Sequence, residues 1–443
     1  MLIMNIKKQT VLMYLYEAAL AFRMVDAVWV IFLLERGFSL AQVGIAEGIF
    51  HITSMIFEVP SGMAADLFGR KRTLLLSGFV GICSAVFMTI EGWAGFVYCA
   101  MVFSALSLNL ASGTEEALVY DSLLEAGSEE KYKRVWANIS LIARVASAFA
   151  CAASPIAIMI GFKYTYYISA FLYLCTILFV LPVREPAVTQ KQKMRTGQAS
   201  AKRRGISSEA QETEGQKAGR ISAVRKHEIQ SVKHELGKRW KRHVRGTAVF
   251  IRENPKTMLK LFADAALGCP CYLIMMYLQE HLVNCGWPKS FIGIPLLVIP
   301  LAGATGTRIA SKNRSSLRKA LLFCGIISGI GTYLVGSNVL VIVLAGACIA
   351  RMCEGFSEIT VSENVNRDFS SDYRATLVSV GSMCYSVLMV AASPATGFLG
   401  DHYSVNAAFY LLGGGLLAAT AATHIILRCK KKDKIDNTHK RRV

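Results

Sequence analysis

Runs of about 20 apolar residues recur twelve times along this 443-residue chain, and no other feature constrains its fold as strongly. They lie near 12–34, 40–61, 73–90, 94–119, 136–160, 164–182, 257–282, 290–309, 317–335, 338–360, 375–399 and 405–427. A helix of that length spans the ~30 Å hydrocarbon layer of a bilayer. Inside that layer every backbone N–H and C=O needs a partner within the protein, so separate apolar runs are satisfied as helices. The expected fold class is an all-α membrane protein with twelve transmembrane helices. Charged residues make up only 18% of the chain, too few for a soluble protein of this size. The first run is too long for a signal-peptide core and has no small-residue cleavage site, so it counts as a membrane helix.

A net charge of +19 raises nucleic-acid binding as a possibility, but the placement of the charge argues against it. Residues 183–252 hold 18 Lys/Arg against 6 Asp/Glu, and residues 428–443 hold 8 against 2. The loops at 70–72, 131–134, 308–319 and 367–374 are also basic. The alternate set of loops offers little more than Arg36, Lys163 and Lys289. That one-sidedness is the positive-inside asymmetry of a multi-pass protein in the cell membrane, with both termini and the central segment cytoplasmic. Near the end of that segment, Ile229, Val232, Leu236, Trp240, Val244 and Ile251 fall at helical spacing among Lys and Arg. This is the pattern of a basic amphipathic helix lying on the inner leaflet. The cysteines are scattered through apolar runs, and Cys269-Pro270-Cys271 lacks a second pair. No metal site and no cofactor are expected.

The two halves of the chain repeat. Gly37 to Ile45 reads Gly, six residues, Gly-Ile after the first run, and Gly286 to Ile294 does the same after the seventh. Ala152-Ala153-Ser154-Pro155 in helix five is matched by Ala391-Ala392-Ser393-Pro394 in helix eleven. The expected organisation is a six-helix half over 1–182 and a basic linker with its amphipathic helix over 183–256. A second six-helix half follows over 257–427, then a basic tail over 428–443.

Between helices two and three stands Gly62-Met63-Ala64-Ala65-Asp66-Leu67-Phe68-Gly69-Arg70-Lys71-Arg72. Gly62, Asp66, Gly69, Arg70 and Lys71 resemble the cytoplasmic loop motif of the major facilitator superfamily of secondary transporters; Leu67 departs from it, where a basic residue is usual. The resemblance implies parallel six-helix halves with a substrate site at their interface. It also implies a gate in which an acid at the inner end of helix four, here Asp121, bonds Arg70. Asp66 is expected to join that cluster and to stabilise the outward-open state. The string Ser112-Gly113-Thr114-Glu115-Glu116-Ala117-Leu118-Val119-Tyr120-Asp121-Ser122 resembles a branch of bacterial drug exporters that includes some tetracycline exporters. Pro155 resembles the proline of the antiporter motif Gly-Pro-x-x-Gly-Gly, without its flanking glycines.

Ionisable side chains inside spanning helices are costly and usually functional. Glu47, His51 and Glu58 in helix two are spaced four and seven apart, hence on one stripe. They are the leading candidates for proton coupling, with Asp26 and Glu115 next; an unperturbed histidine titrates nearest neutrality among side chains, so this residue type at 51 suits a relay. The alternative is that the stripe packs against helix eleven. Arg23 and Asp26 in helix one, and Arg351, Glu354 and Glu358 in helix ten, each share a face. Together with Glu17, Asn109, Glu116, Arg144 and Asp264 they form the expected cavity set. Arg144 is expected to be buried and paired with a carboxylate of helix one or four.

No phosphate-binding loop and no nucleophile–base spacing stands out, so neither ATP drive nor an enzyme is expected. A carboxylate that exchanges a proton for a cationic or zwitterionic substrate gives antiport. The expected function is proton-coupled export of amphiphilic, drug-like or antibiotic compounds by a monomer whose partners are substrate, protons and lipid. A proton symporter for a nutrient, sugar or organic acid, and a non-transporting membrane receptor are the alternatives.

Overall fold

The computed structural model describes residues 6–186, 248–310, 316–368 and 374–440, with Arg245 and Lys312. The expected amphipathic helix therefore falls largely outside the described residues. The first half comprises α1 (Ile6–Ala21), α2 (Trp29–Glu35), α3 (Leu40–Phe68), α4 (Arg70–Thr89), α5 (Gly95–Ala111), α6 (Thr114–Glu125), α7 (Tyr132–Ala152), α8 (Ser154–Ile160) and α9 (Phe162–Val180). The second comprises α10 (Pro255–Asn284), α11 (Gly293–Ala310), α12 (Leu317–Val335), α13 (Leu340–Asp368), α14 (Arg374–His402) and α15 (Val405–Lys440). Eleven continuous or nearly continuous segments among the described residues are long and apolar enough to span a membrane. The first expected span supplies the twelfth, in two pieces, and the protein is an all-α, twelve-helix membrane protein in two halves. The last helix runs on to Lys440, past the end of the expected span at 427.

Three spans are interrupted, two of them with a local cause. Helix four breaks between α5 and α6 at Gly113, whose φ of 71° is cheap only for glycine. Helix five breaks before Pro155, which has no N–H to donate and crowds the carbonyl four residues back. Helix one has neither residue at its break. It leaves the α-helix after Ala21, makes a 3-10 turn over Met24–Ala27 and resumes at Trp29. Irregular backbone at membrane depth persists where it lines a cavity, and this break does.

Among the described residues, the Gly69 loop after the second span lies with the ends of the fourth and sixth spans, at Asp121 and Glu185, at one end, called here the basic end. At the opposite end the halves share one core, in which Val30, Leu33, Val43 and Ala46 meet Leu273, Leu278, Leu282 and Leu296. Nearer the basic end each half has a core of its own. Met13, Leu74, Leu118 and Ile139 belong to one, and Phe250, Val361, Leu377 and Val380 to the other. The molecule is thus sealed at the opposite end.

Candidate functional site

The break in helix one places Arg23 and Asp26 at the wall of a central cavity of about 500 Å³. Arg23 Nη2 lies 3.0 Å from Asp26 Oδ1. The Asp26 side chain is 54% accessible, and that access is to the cavity. Glu47 and His51 line the same cavity from α3 and are almost fully buried, at 2% and 7% exposure. Their Oε1 and Nε2 atoms face each other at 3.3 Å without hydrogen-bond alignment. Phe50 and Tyr385 stand edge-on to the imidazole, with ring centroids 5.4 and 5.5 Å away, and Tyr272 stands at 6.2 Å. Nδ1 is 3.4 Å from the Ser386 hydroxyl. The helix-two stripe therefore does both things considered from sequence: it packs along α14, and its first two members reach the cavity. Glu58 sits farther along, beside Ser379 of α14, and does not line the cavity.

From the second half the cavity receives Tyr272, Met275, Met276, Gln279 and Arg351. Arg351 pairs with Glu354 one turn on, as the spacing predicts, and packs against Gly303 of α11. Tyr272 lies beside Glu47. Gln279 is 1% exposed and donates to the Asp26 carbonyl at 3.4 Å, across the interface between the halves. Tyr166, Tyr173 and Trp29 complete an aromatic wall. Tyr272 and Gln279 were missed because they carry no charge; their spacing of seven on α10, with Met276 between, is the signal that was available. Asp264, singled out on the same helix, instead accepts from Ser357 at 2.7 Å, and Glu358 is exposed.

At the basic end, Arg70 Nη1 meets Asp121 Oδ2 at 2.5 Å, with 15% and 8% of the two side chains exposed. Arg70 also donates to the Ala117 carbonyl. The N-terminus of α4 is capped by Glu185, whose oxygens accept from the Arg70 and Lys71 amides at 2.8 and 2.9 Å. Gly69, at φ 95°, makes the turn. Gly62, which the motif resemblance places in the loop, lies instead within α3, with open space around it. Asp66 is exposed and makes no ion pair or hydrogen bond among the described residues.

The other expected cavity residues divide. Glu17 of α1 and Glu115 of α6 lie close to each other, near the buried Tyr16. Glu116 is exposed and accepts from the Tyr132 hydroxyl at 2.5 Å. Asn109 is a clamp: it accepts from the Ser54 hydroxyl at 2.9 Å and donates to the Ser54 carbonyl at 2.8 Å, tying α5 to α3. Arg144 departs from expectation. It is exposed on α7, outside the cavity lining and unpaired among the described residues, because the buried face of α7 is carried by Val135, Ile139, Ala146 and Ala150 instead.

Two six-helix halves around a charged cavity, sealed at one end, define a multi-pass membrane transporter. The family profile for the Major Facilitator Superfamily matches residues 18–312 and again 271–442, and the chain belongs to that family. A stretch of 97 residues is 33% identical to an uncharacterized MFS-type transporter, YxaM, of Bacillus subtilis (strain 168). That stretch covers 22% of this chain and 24% of the relative. Among solved structures, a point mutant of the nucleoside transporter NupG superposes with a TM-score of 0.71 at 13% identity, over 94% of this chain and 99% of that one. The POT family transporter PepTSo gives 0.67 at 11% identity, over 96% and 98%. A D-xylose-proton symporter gives 0.61 at 11%, over 94% and 95%. At such identities these structures share the fold.

Proposed function

We propose that this protein is a proton-coupled exporter of amphiphilic, drug-like or antibiotic compounds, working by alternating access in the cell membrane. Its basic end and both termini face the cytoplasm, following the charge asymmetry of the loops. The observation that carries the reading is the cavity: acidic groups from Asp26 and Glu47 beside His51, set among Trp29, Tyr166, Tyr173, Tyr272 and methionines. Aromatic and thioether walls adapt to lipophilic guests. A cation drawn to these carboxylates competes with a proton for them, and alternation of the cavity between the two faces turns that competition into exchange. His51, within 3.3 Å of Glu47, relays the proton. Glu115, which lies near Glu17, is a further candidate to hold the proton.

The competing reading, proton symport of a nutrient such as an organic acid, is favoured by one feature, the Arg351 guanidinium in the cavity wall. Energised inverted vesicles separate the two. Adding an exported cationic amphiphile alkalinises the lumen as protons leave, whereas a symported nutrient leaves it acid or acidifies it further. Glu47→Gln is expected to abolish the pH-driven uptake into such vesicles while downhill exchange of substrate continues. Full pH-driven transport in Glu47→Gln moves the proton site to Asp26 or Glu115.

A further inference from the structure

The N-terminus of α3 is capped by both halves of the molecule. The first turn of a helix leaves its amides without helical partners, and each needs another acceptor. Ser39 and Gln42 form a capping box: the Gln42 amide donates to the Ser39 hydroxyl at 3.3 Å, and the Ser39 amide to the Gln42 side chain at 2.9 Å. Two first-turn amides remain, those of Leu40 and Ala41. Both donate to a single carboxylate of the other half: Leu40 to Asp401 Oδ1 at 2.9 Å and Ala41 to Asp401 Oδ2 at 2.8 Å. Asp401 stands near the end of α14, 361 residues along the chain from Leu40. Its charge also lies at the positive end of the α3 dipole.

The surrounding residues allow this approach. A Cβ at Gly397 would run into the Leu40 carbonyl, and one at Gly400 into the Leu40 side chain. One turn deeper, a Cβ at Gly44 would meet the Ser393 carbonyl and the Tyr277 hydroxyl. Tyr277 donates to Ser393 O at 2.8 Å. Backbone therefore lies on backbone where α3 crosses α14, and Asp401 closes the crossing at its rim.

We propose that Asp401 is the positioning residue that latches the two halves at the end opposite the basic loops. It acts through the N-terminus of α3 and sets how long the cavity stays sealed at that end. When the halves part there, the Leu40 and Ala41 amides lose their acceptor and must find water, so the latch opposes opening without touching substrate or proton. The inference rests on alternating access and on nothing about which compound is carried.

The test follows Cys151, a native cysteine in the cavity wall, kept as the single cysteine of the full chain. An impermeant maleimide is applied to intact cells and, separately, to inverted vesicles. Asp401→Ala is expected to raise labelling from the end opposite the basic loops ~5-fold, the population change that goes with losing a helix cap, and to lower labelling from the basic end. Asp401→Asn keeps one acceptor oxygen and is expected to fall between. Unchanged labelling from both sides in a folded Asp401→Ala overturns the latch; if that variant does not assemble, wild-type labelling in Asp401→Asn overturns it. Because labelling reads conformation alone, the latch stands or falls separately from the export reading, which the vesicle assay tests.

Discussion

Asp121→Asn removes the charge that faces Arg70 at 2.5 Å, in a pair with only 15% and 8% of its side chains exposed. A surface pair of this kind contributes ~0–1 kcal/mol, but an enclosed one that loses a single partner costs about 3 kcal/mol, because the remaining charge stays buried. Arg70 keeps the Ala117 carbonyl, so the loss falls at the lower end of that scale. Asp66→Asn makes a sharp comparison. Asp66 is exposed and unpaired among the described residues in this state, so its change is expected to alter stability by no more than ~0.5 kcal/mol. Its proposed role belongs to the other state, in which the basic end closes and the acid finds a partner. Thermal unfolding of the purified proteins, followed by tryptophan fluorescence, is therefore expected to show Asp121→Asn melting well below wild type and Asp66→Asn melting with it. Transport is expected to be lost in Asp66→Asn all the same. Equal melting of Asp121→Asn and wild type would refute the energetic argument for the pair, and full transport in Asp66→Asn would refute the gate.

Further outcomes are open to measurement. Gly44→Val places side-chain atoms against the Ser393 carbonyl and the Tyr277 hydroxyl, so it is expected to push α3 off α14 and raise maleimide labelling of Cys151 from the sealed end. Asn109→Leu breaks both bonds to Ser54 and is expected to cost about 1–3 kcal/mol in thermal unfolding, with substrate binding by the surviving protein unchanged. Gly113→Val forces a β-branched residue to φ 71° and is expected to destabilise by about 1–2 kcal/mol, read as a lower unfolding midpoint. A cysteine introduced at position 215, in the central segment, is expected to react with an impermeant thiol reagent only from the cytoplasmic side; labelling in intact cells reverses the proposed orientation.

How much was legible depended on whether a physical rule ties spacing to geometry. Bilayer thickness fixes helix length, so the spans could be read off apolar runs. Helical periodicity fixes which residues share a face, so the Arg23–Asp26 and Arg351–Glu354 pairs and the Glu47–His51 contact followed from intervals of three and four. Arg70 and Asp121 are 51 positions apart, and only the family resemblance joined them. Arg144 failed because a charge in an apolar run does not say which way the helix is turned; small and branched residues on the opposite face decided that. Asn109 failed differently. A polar residue at membrane depth needs partners, and here Ser54 one helix away takes one donor and one acceptor of the amide, so Asn109 ties α5 to α3 and does not line the cavity. Asp401 lies at the edge of a span, where an acid needs no explanation in sequence, and its meaning came only from the amides it meets.

The break in helix one had no sequence signal of the usual kind, and the reason lies in what surrounds it. Without proline or glycine, the segment from Phe22 to Val28 leaves the α-helix at a cost in hydrogen bonds, which short turns partly recover: Arg23 donates to Ala21 O at 2.9 Å and Val28 to Val25 O at 3.0 Å. The Asp26 carbonyl receives its donor from Gln279 in the other half. The Arg23–Asp26 pair neutralises the two charges that the turn presents to the cavity. Such a turn is supported by contacts from outside its own helix, and one of them crosses the interface that alternating access must open and close. Movement of the second half withdraws the Gln279 amide from Asp26, next to the carboxylate proposed to meet the substrate. Helix one is therefore where a change in the packing of the halves and a change in the charge of the cavity act on the same few residues.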